Sequence, residues 1–206
     1  MTSSPRRILF VCEGNVCRSP YAAMAFQQQW RAVPSARQTV TASAGTRAPS
    51  GALAHEQLRT LGLEAAPLDV HRARSVDDVD LRQQDLVVTM ERRHRQAVLE
   101  RAPQLVRRTF TLGEVARIAE PLLAGGIDTA TAHDEFHDLL ARFRLAAPAP
   151  SSTGPSDDVP DPVRGDGADF RRMATRIDHD LDLLVTLLVR FDAVLADDTR
   201  NPGAGR

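Results

Sequence analysis

The sequence lacks lysine, has only two cysteines and carries almost no net charge, and each of these scarcities excludes a class of protein. All 26 basic residues are arginine, so the Gly-Lys-Ser/Thr motif of a nucleotide-binding P-loop is absent. Two cysteines cannot form a disulfide framework for a fold of 206 residues, and this scarcity favours reactive thiols in a reducing compartment. Because 27 acidic residues balance the arginines, we expect no binding to nucleic acid.

Long apolar runs are also missing from the chain. The run nearest the N-terminus covers residues 8–12, which is too short for the apolar segment of a signal peptide. No stretch approaches the roughly 20 apolar residues of a membrane span. We therefore expect a cytoplasmic protein without membrane insertion. The composition, 42% hydrophobic, allows one substantial core, which favours a single domain over residues 1–206.

Short apolar runs alternate with segments of helical spacing along the chain. Strands that alternate with helices pair in parallel. The predicted fold class is α/β, a single doubly wound domain whose central four-stranded parallel sheet has the order 2-1-3-4 and carries helices on both faces. The predicted strands cover 6–12, 38–45, 85–90 and 106–112, and the predicted helices run from Pro20 onward and over 52–62, 91–103, 114–123 and 170–195.

Two regions have the composition of exposed connections. Residues 124–157 contain Gly-Gly and a run rich in Ala, Pro and Ser, which predicts an inserted flexible segment with an intervening helix around 133–145. The polar residues after about position 196 predict a loose tail. Between these regions, the helix over 170–195 has the clearest period of the chain, because apolar residues recur every three or four positions on one face.

The segment from Cys12 to Pro20 joins the first strand to the first helix and reads Cys-Glu-Gly-Asn-Val-Cys-Arg-Ser-Pro. Ligands of open α/β sheets bind at the carboxyl ends of the strands, which is where Cys12 lies. Backbone N–H groups at a helix N-terminus cradle a tetrahedral dianion, and the same field stabilises a thiolate that can attack phosphorus. Arg18 can bind two phosphate oxygens with its planar fork, and Ser19 can donate to the thiolate.

The loop therefore predicts a catalytic pair, Cys12 as nucleophile and Arg18 as phosphate clamp. A Cys-x5-Arg pattern alone is equally compatible with a buried thiol at a strand end and a solvated arginine. The order of strand, loop, proline and helix favours the phosphate site. Gly14 and Asn15 suit a tight loop because they tolerate positive φ. The predicted phosphate-binding residues are Glu13, Gly14, Asn15, Val16, Cys17, Arg18 and Ser19.

Breaking a phosphate ester also needs a proton for the leaving oxygen. An acidic loop is more often only solvated, so the residues alone leave the choice of proton donor open. The histidines at 94, 133, 137 and 179 lack metal spacing with carboxylates or thiols, so neither a metal nor a cofactor is predicted. The candidate donors in the acidic loop before the last helix are Asp157, Asp158, Asp161 and Asp166.

The sequence from Phe10 to Pro20 resembles the signature of the low-molecular-weight protein tyrosine phosphatase family. The resemblance spans about residues 6–195, with 124–157 as an insertion. It implies hydrolysis of phosphotyrosine-type monoesters in a phosphorylated protein substrate through a cysteinyl-phosphate at Cys12, by a monomer or weak homodimer. Further segments in the family's order are Ser43 to Thr46, His71 to Arg74, residues 85–90, and Val159 to Pro162.

The same resemblance assigns roles to individual residues. It implies that Asp161, in the Asp-Pro pair, is the general acid. It also implies that Asn15, Ser43 and His71 form a hydrogen-bond network that supports the loop. On the residues alone, His71 is a surface histidine or a satisfied one, and Ser43 is an ordinary serine at a strand end.

The sequence departs from the family pattern near the predicted site. Val163 and Arg164 stand where many members carry tyrosines that wall the substrate ring, which weakens the phosphotyrosine assignment. Val16 stands where phosphoarginine-specific relatives have threonine, which favours an aromatic phosphoester. Glu13 brings a negative charge that could select basic substrates or point away from the site.

Two other functions stay open at this point. One is an arsenate reductase that uses an external small thiol, since the thioredoxin-coupled type needs two further cysteines. The other is a non-catalytic module that binds phosphate or senses redox state, although such a module has no use for a general acid. The resemblance also implies a reversible disulfide between Cys12 and Cys17, with Cys17 as a small packing residue as the alternative.

Overall fold

The first strand of the chain lies at the centre of the sheet. The computed structural model describes residues 4–34, 37–127, 135–147 and 156–200. These residues form four strands, β1 (Arg6–Cys12), β2 (Thr39–Gly45), β3 (Leu86–Thr89) and β4 (Thr109–Thr111). All pair in parallel in the order β2-β1-β3-β4, which confirms the predicted order 2-1-3-4. Residues 8–12 of β1 are buried, as their continuous apolar run predicts.

Helices cover both faces of this sheet, as predicted. The α-helices of the described residues are α1 (Arg18–Arg31), α2 (Ala65–Val70), α3 (Arg92–Arg101), α4 (Leu112–Gly125), α5 (Phe136–Phe143) and α6 (Gly167–Arg200). Along β1, Ile8 and Phe10 belong to the larger core, with the buried residues of α1, α4 and α6. Leu9 and Val11 point to the other face and pack in a second core that includes Val98 of α3.

Helix α6 confirms the strongest helical prediction of the sequence. Burying each large apolar side chain contributes roughly 1.5–3 kcal/mol, so this helix anchors one face of the domain. Its Asp192 also binds Arg6 at the start of β1, at 2.5 Å. The predicted tail begins inside α6, and residues 201–206 lie outside the described residues. The buried side chains on the predicted face are Phe170, Met173, Ile177, Leu181, Leu184, Leu188 and Phe191.

The predicted helix over 52–62 is wrong. The chain instead forms a short 3-10 helix at Glu56–Thr60 and then α2. The reason is that distant residues take the backbone groups that a helix would need: the His55 N–H donates to the Val16 carbonyl at 2.9 Å, and the Ala52 carbonyl accepts from Ala73 at 2.8 Å. The His55 ring also stacks on Phe170, with 4.5 Å between ring centroids.

The fourth strand is shorter than its predicted range of 106–112. Residues before it form a turn, because a 3-10 helix at Pro103–Leu105 is followed by a hydrogen bond of 2.9 Å from the Arg108 N–H to the Leu105 carbonyl. At its other end Thr111 leaves the strand to cap α4. Its hydroxyl accepts from the Glu114 N–H at 3.1 Å in a capping box.

The region predicted as an insertion contains a packed helix. In α5, Phe136, Leu139 and Leu140 are buried, and Phe136 meets Phe191 of α6 edge to face at 5.4 Å. The helix predicted around 133–145 is thus observed over 136–143, whereas His133 lies outside the described residues. Segments 128–134 and 148–155 are also outside, and the flexibility of the insertion stays a prediction. Among the helices described, none has the length and apolar character to cross a membrane.

Candidate active site

Cys12 ends β1, and the loop that follows turns back around its sulfur atom. The Asn15 N–H donates to Cys12 Sγ at 3.2 Å, and the Ser19 hydroxyl lies 3.0 Å from the same sulfur. Asn15 adopts a left-handed backbone with φ of 52°, as its tolerance of positive φ predicted, whereas Gly14 has no positive φ. Cys12 is thus placed where a thiolate would receive two donors, as the sequence predicted for Ser19.

Asn15 connects the loop to the rest of the domain. Its side-chain amide donates to the hydroxyls of Ser19, at 3.0 Å, and Ser43, at 2.9 Å. Its side-chain oxygen accepts from the Arg74 N–H at 3.0 Å, and its backbone carbonyl lies 2.8 Å from His71 Nε2. Because every polar group of this buried amide is bonded, the unfavourable left-handed backbone is held in place.

The structure therefore brings Asn15, Ser43 and His71 together, as the family resemblance implied. Burial lowers the pKa of His71, although the hydrogen bond to Asn15 opposes this shift. The ring is accordingly neutral at neutral pH, and its Nε2–H donates, because the Asn15 carbonyl can only accept.

Gly45 permits the loop to lie against β2, a role that sequence reasoning missed. A Cβ atom at this position would fall 2.5 Å from the Glu13 carbonyl oxygen and 3.0 Å from the Asn15 nitrogen. The next N–H groups bind the same loop, since Thr46 donates to the Cys12 carbonyl and Arg47 to the Glu13 carbonyl, both at 2.9 Å. The glycine of the Ser-Ala-Gly-Thr segment was the available signal.

Arg18 is buried, with 1% of its surface exposed, although it begins the first helix. One terminal nitrogen donates to the Glu91 carboxylate and to the Val159 carbonyl at 3.1 Å. The other donates to the Asp161 carboxylate at 2.6 Å. A buried guanidinium needs such partners, and they hold its plane in one orientation beside Cys17 and the pocket.

Glu91 is the second residue that sequence reasoning missed. It lies two residues after the end of β3, and the carboxyl ends of parallel strands meet at one edge of the sheet. Burial opposes its ionisation, but hydrogen bonds from Arg93 and Arg18 lower its pKa to about 2. The carboxylate therefore stays charged and fixes Arg18. An acidic residue just after a strand next to β1 was a usable signal.

Asp161 reaches the pocket from the loop that precedes α6. This loop is attached to the sheet end by a hydrogen bond of 2.8 Å from the Val159 N–H to the Met90 carbonyl. The Asp161 side chain is 32% exposed and also accepts from the Val163 N–H at 3.2 Å. It is thus close to Arg18 and still open to solvent, as a proton donor to a bound ligand must be.

The three competing aspartates have structural partners elsewhere. Asp157 is buried and binds Arg117 of α4 at 3.2 Å. Asp158 accepts from the first N–H of α3 at 2.8 Å. Asp166 accepts from two N–H groups at the start of α6, at 2.7 and 3.1 Å, which is a helix cap. Of these four candidates, only Asp161 lines the pocket.

The pocket above Cys12 has a volume of about 550 Å³. Glu13 lies at its edge and pairs with Arg93 at 2.7 Å, with Arg47 3.9 Å away. Val163 and Arg164 complete the rim, at the positions where the family resemblance implies tyrosines. Gly14 and Val16 also line the pocket, whereas Asn15 supports it from outside.

Cys17 lies in the same loop and is 3% exposed. Burial, followed by the negative charges of Cys12 and Asp161, raises its pKa to about 12. It is therefore a neutral thiol at physiological pH and no second nucleophile. Both cysteines are free thiols. Over the described part of the chain, no group of three or more His, Cys, Asp or Glu side chains could hold a metal ion.

Fold and pocket together define a class, the open α/β proteins with a pocket at the carboxyl ends of the strands and a thiol at the end of the first strand. Within this class, the chain belongs to the low molecular weight phosphotyrosine protein phosphatase family, whose model matches residues 7–142. It is therefore a hydrolase of a protein phosphatase family. The matched residues include Cys12 and Arg18 and end before Asp161.

Several relatives support this membership. A protein-arginine-phosphatase from Geobacillus stearothermophilus is 34% identical over 149 residues, 68% of this chain and 94% of the relative. Low molecular weight protein-tyrosine phosphatase A from Mycobacterium bovis is 37% identical over 154 residues, 71% of this chain and 90% of the relative. The crystal structure of a low molecular weight protein tyrosine phosphatase from T. tengcongensis shares the fold, with a TM-score of 0.63, 24% identity, and coverage of 88% of this chain and 98% of that one.

Proposed function

We propose that this protein hydrolyses phosphotyrosine in proteins through a cysteinyl-phosphate formed on Cys12. The observation that carries the proposal is the placement of Cys12, Arg18 and Asp161 around one pocket. The sulfur has donors from Asn15 and Ser19, the guanidinium is buried beside it, and the carboxyl group reaches the pocket from the opposite loop. Nucleophile, phosphate clamp and proton donor are thus within reach of one bound ester.

In the first step the Cys12 thiolate attacks phosphorus. The sulfur–phosphorus bond forms as the bond from phosphorus to the ester oxygen breaks, and Asp161 gives its proton to that leaving oxygen. Arg18 stabilises the charge on the transferred phosphoryl group with its Nε–H and with the terminal nitrogen next to Asp161. The other terminal nitrogen gives both of its hydrogens to Glu91 and Val159. Glu91 keeps the guanidinium plane aligned throughout, because its carboxylate holds the nitrogen that also binds Val159.

In the second step water attacks the cysteinyl-phosphate. The Asp161 carboxylate now takes a proton from that water, and the sulfur–phosphorus bond breaks to release inorganic phosphate. The electron pair returns to sulfur, and the Ser19 hydroxyl stabilises the departing thiolate by donating to it over 3.0 Å. The hydrogen bond from Asn15 to the Ser19 oxygen fixes the hydroxyl for this task.

Phosphoarginine is a second candidate substrate. It is favoured by the 34% identity to the protein-arginine-phosphatase and by the rim, where Val163 and Arg164 provide no aromatic wall. Val16 lines the pocket and argues for the aromatic ester, because it is apolar where the resemblance implies threonine for phosphoarginine. Hydrolysis rates of matched phosphotyrosine and phosphoarginine peptides decide between the two substrates. If residue 16 sets the preference, Val16→Thr should raise the rate on phosphoarginine relative to phosphotyrosine.

The direct test of the proposal is hydrolysis of a small aryl phosphate. We expect turnover by the wild type, none by Cys12→Ser and a strongly reduced rate for Asp161→Asn. A parallel reaction with arsenate and a small thiol tests the reductase alternative. A folded protein that reduces arsenate but does not hydrolyse the aryl ester overturns the proposal, and a folded protein with neither activity leaves the binding module as the function.

The surroundings of the reaction form a further part of the proposal. The protein acts in the cytoplasm on phosphorylated proteins, as a monomer or weak homodimer, with residues 124–157 as a flexible insertion. The two free cysteines support a reducing compartment. Sedimentation at several concentrations tests the oligomeric state, and limited proteolysis tests the insertion, since cleavage should concentrate between 124 and 157.

A further inference from the structure

The mouth of the pocket carries two arginines that extend into solvent. Arg47 follows β2, and its side chain is 83% exposed. Arg164 follows the Asp-Pro pair, is exposed, and makes no ion pair or hydrogen bond with any part of the chain that the structure describes. Both line the pocket that contains Cys12, and they come from two different loops. Their charges are thus available to groups that surround a bound phosphoresidue.

The negative charge at the mouth is already neutralised. Glu13, the residue expected either to select basic substrates or to point away, binds Arg93 at 2.7 Å and lies 3.9 Å from Arg47. Arg93 also binds Glu91 at 2.7 Å, so the positive charges of the mouth that face solvent are those of Arg47 and Arg164. A basic substrate therefore finds no free carboxylate at Glu13, whereas an acidic one meets the exposed Arg47 and Arg164.

A groove of about 250 Å³ continues from this mouth and shares Glu13, Arg47 and Arg93 with the pocket. Its wall includes His94, which is 2% exposed and whose two ring nitrogens have no hydrogen-bond partner among the described residues. Burial, followed by the charge of Arg18, lowers the pKa of His94 to about 4. The neutral ring forms part of the groove wall, with both of its nitrogens buried.

We propose that the phosphorylated residue of the substrate is flanked by acidic side chains, which Arg47 and Arg164 bind at the mouth while the peptide continues along the groove beside His94. This inference rests on the proposed function and names the substrate class of the same site. Each exposed ion pair is worth about two- to fivefold in affinity, so the two arginines together give about tenfold. The preference weakens with salt, because both side chains are solvated.

The test compares three phosphotyrosine peptides with two glutamates, two alanines or two lysines on each side of the phosphotyrosine. We expect kcat/KM to fall about tenfold from the glutamate to the alanine peptide and further to the lysine peptide, mainly through KM. In the double variant Arg47→Glu and Arg164→Glu the order reverses. The matched control is Arg82→Glu, an exposed arginine just before β3, at the opposite end of the strands, which leaves the order unchanged.

A binding arm separates this inference from the proposed function. The affinities of Cys12→Ser for the same peptides are measured by fluorescence anisotropy and should follow the same order, because this variant binds without turnover. Equal affinity for the glutamate and lysine peptides, or an equal response of the double variant and Arg82→Glu, overturns the inference. Absence of aryl phosphate hydrolysis by the wild type counts against the proposed function instead, and the binding order still decides the peptide preference.

Discussion

Two loops meet at the pocket, and they are built differently. The nucleophile loop, residues 12–19, is held by buried groups, and Asn15 and Arg18 are at most 1% exposed. The acid loop, residues 156–166, presents Asp161 with 32% of its side chain exposed. The first loop must keep a strained backbone fixed around sulfur, whereas the second must let a carboxyl group exchange protons with water. Changes to Asn15 in the first loop should therefore lower stability and rate together, whereas changes to Asp161 in the second loop should lower mainly the rate.

The largest difference is expected from Asp161→Asn. The amide cannot act as a general acid toward the leaving oxygen, so kcat should fall by about 10²- to 10⁴-fold. The melting temperature should fall only slightly, because the asparagine side-chain oxygen can still accept the hydrogen bond from Arg18. The loss should be smaller for an aryl ester whose phenol is acidic, because that leaving group needs less protonation. The matched control is Asp158→Asn, whose carboxylate binds a backbone N–H of α3, and it should retain kcat.

Asn15→Ala should disrupt the nucleophile loop and lower both stability and kcat. It removes the side-chain hydrogen bonds to Ser19, Ser43 and Arg74 and leaves an alanine in a left-handed backbone at φ of 52°. We therefore expect a free energy of unfolding about 2–4 kcal/mol lower and a kcat at least tenfold lower. Asn15→Gly separates the two causes, since glycine relieves the backbone strain and still lacks the bonds. Urea unfolding that leaves both variants as stable as the wild type contradicts the contrast between the loops.

Glu91→Gln tests the support of Arg18, with an expected loss of about tenfold in kcat/KM. The pKa of Glu91 is depressed from 4.5 to about 2, so its stabilisation is complete above about pH 4.5 and is lost as the pH falls toward 2. The free energy of unfolding of the wild type and the variant should therefore differ at pH 7 and converge near pH 2. If the difference in the free energy of unfolding instead grows as the pH falls, the Glu91 carboxylate does not stabilise the fold by binding Arg18.

The smallest effect is expected from Cys17→Ala. Because burial keeps this thiol protonated, with a pKa of about 12, its loss should change aryl phosphate turnover by less than about threefold. The disulfide hypothesis is tested on the same variant. After mild peroxide and then a thiol reductant, the wild type should recover activity, and Cys17→Ala should not. Equal recovery makes Cys17 a packing residue only.

The accuracy of the sequence-based predictions depended on how local each feature is. The nucleophile loop and β1 could be predicted because residues 6–19 contain their own signals, an apolar strand and then glycine, asparagine and a helix start. The sequence could not show that residues 52–62 form no regular helix, because the groups that bind this backbone belong to Val16 and Ala73, outside the segment. The spacing of apolar residues within one segment carries no information about such long-range partners.

The acid loop shows the same limit for function. Four aspartates within ten positions look alike in sequence, and only their distant partners separate them: Arg117 binds one, two helix N-termini bind two, and Arg18 lies beside Asp161. Glu91 was missed for a similar reason, since its contact with Arg18 joins residues 73 positions apart. The family resemblance supplied for Asp161 what the pattern of charges could not.

The most direct test of the account is to trap the covalent intermediate. Asp161→Asn is mixed with an aryl phosphate that has an acidic phenol, quenched in acid within the first turnovers and digested for mass spectrometry, with Cys12→Ala as control. We expect an added mass of about 80 Da on the peptide that contains Cys12, and none in the control. Phosphate on another residue, or turnover that persists in Cys12→Ala, would contradict the cysteinyl-phosphate mechanism.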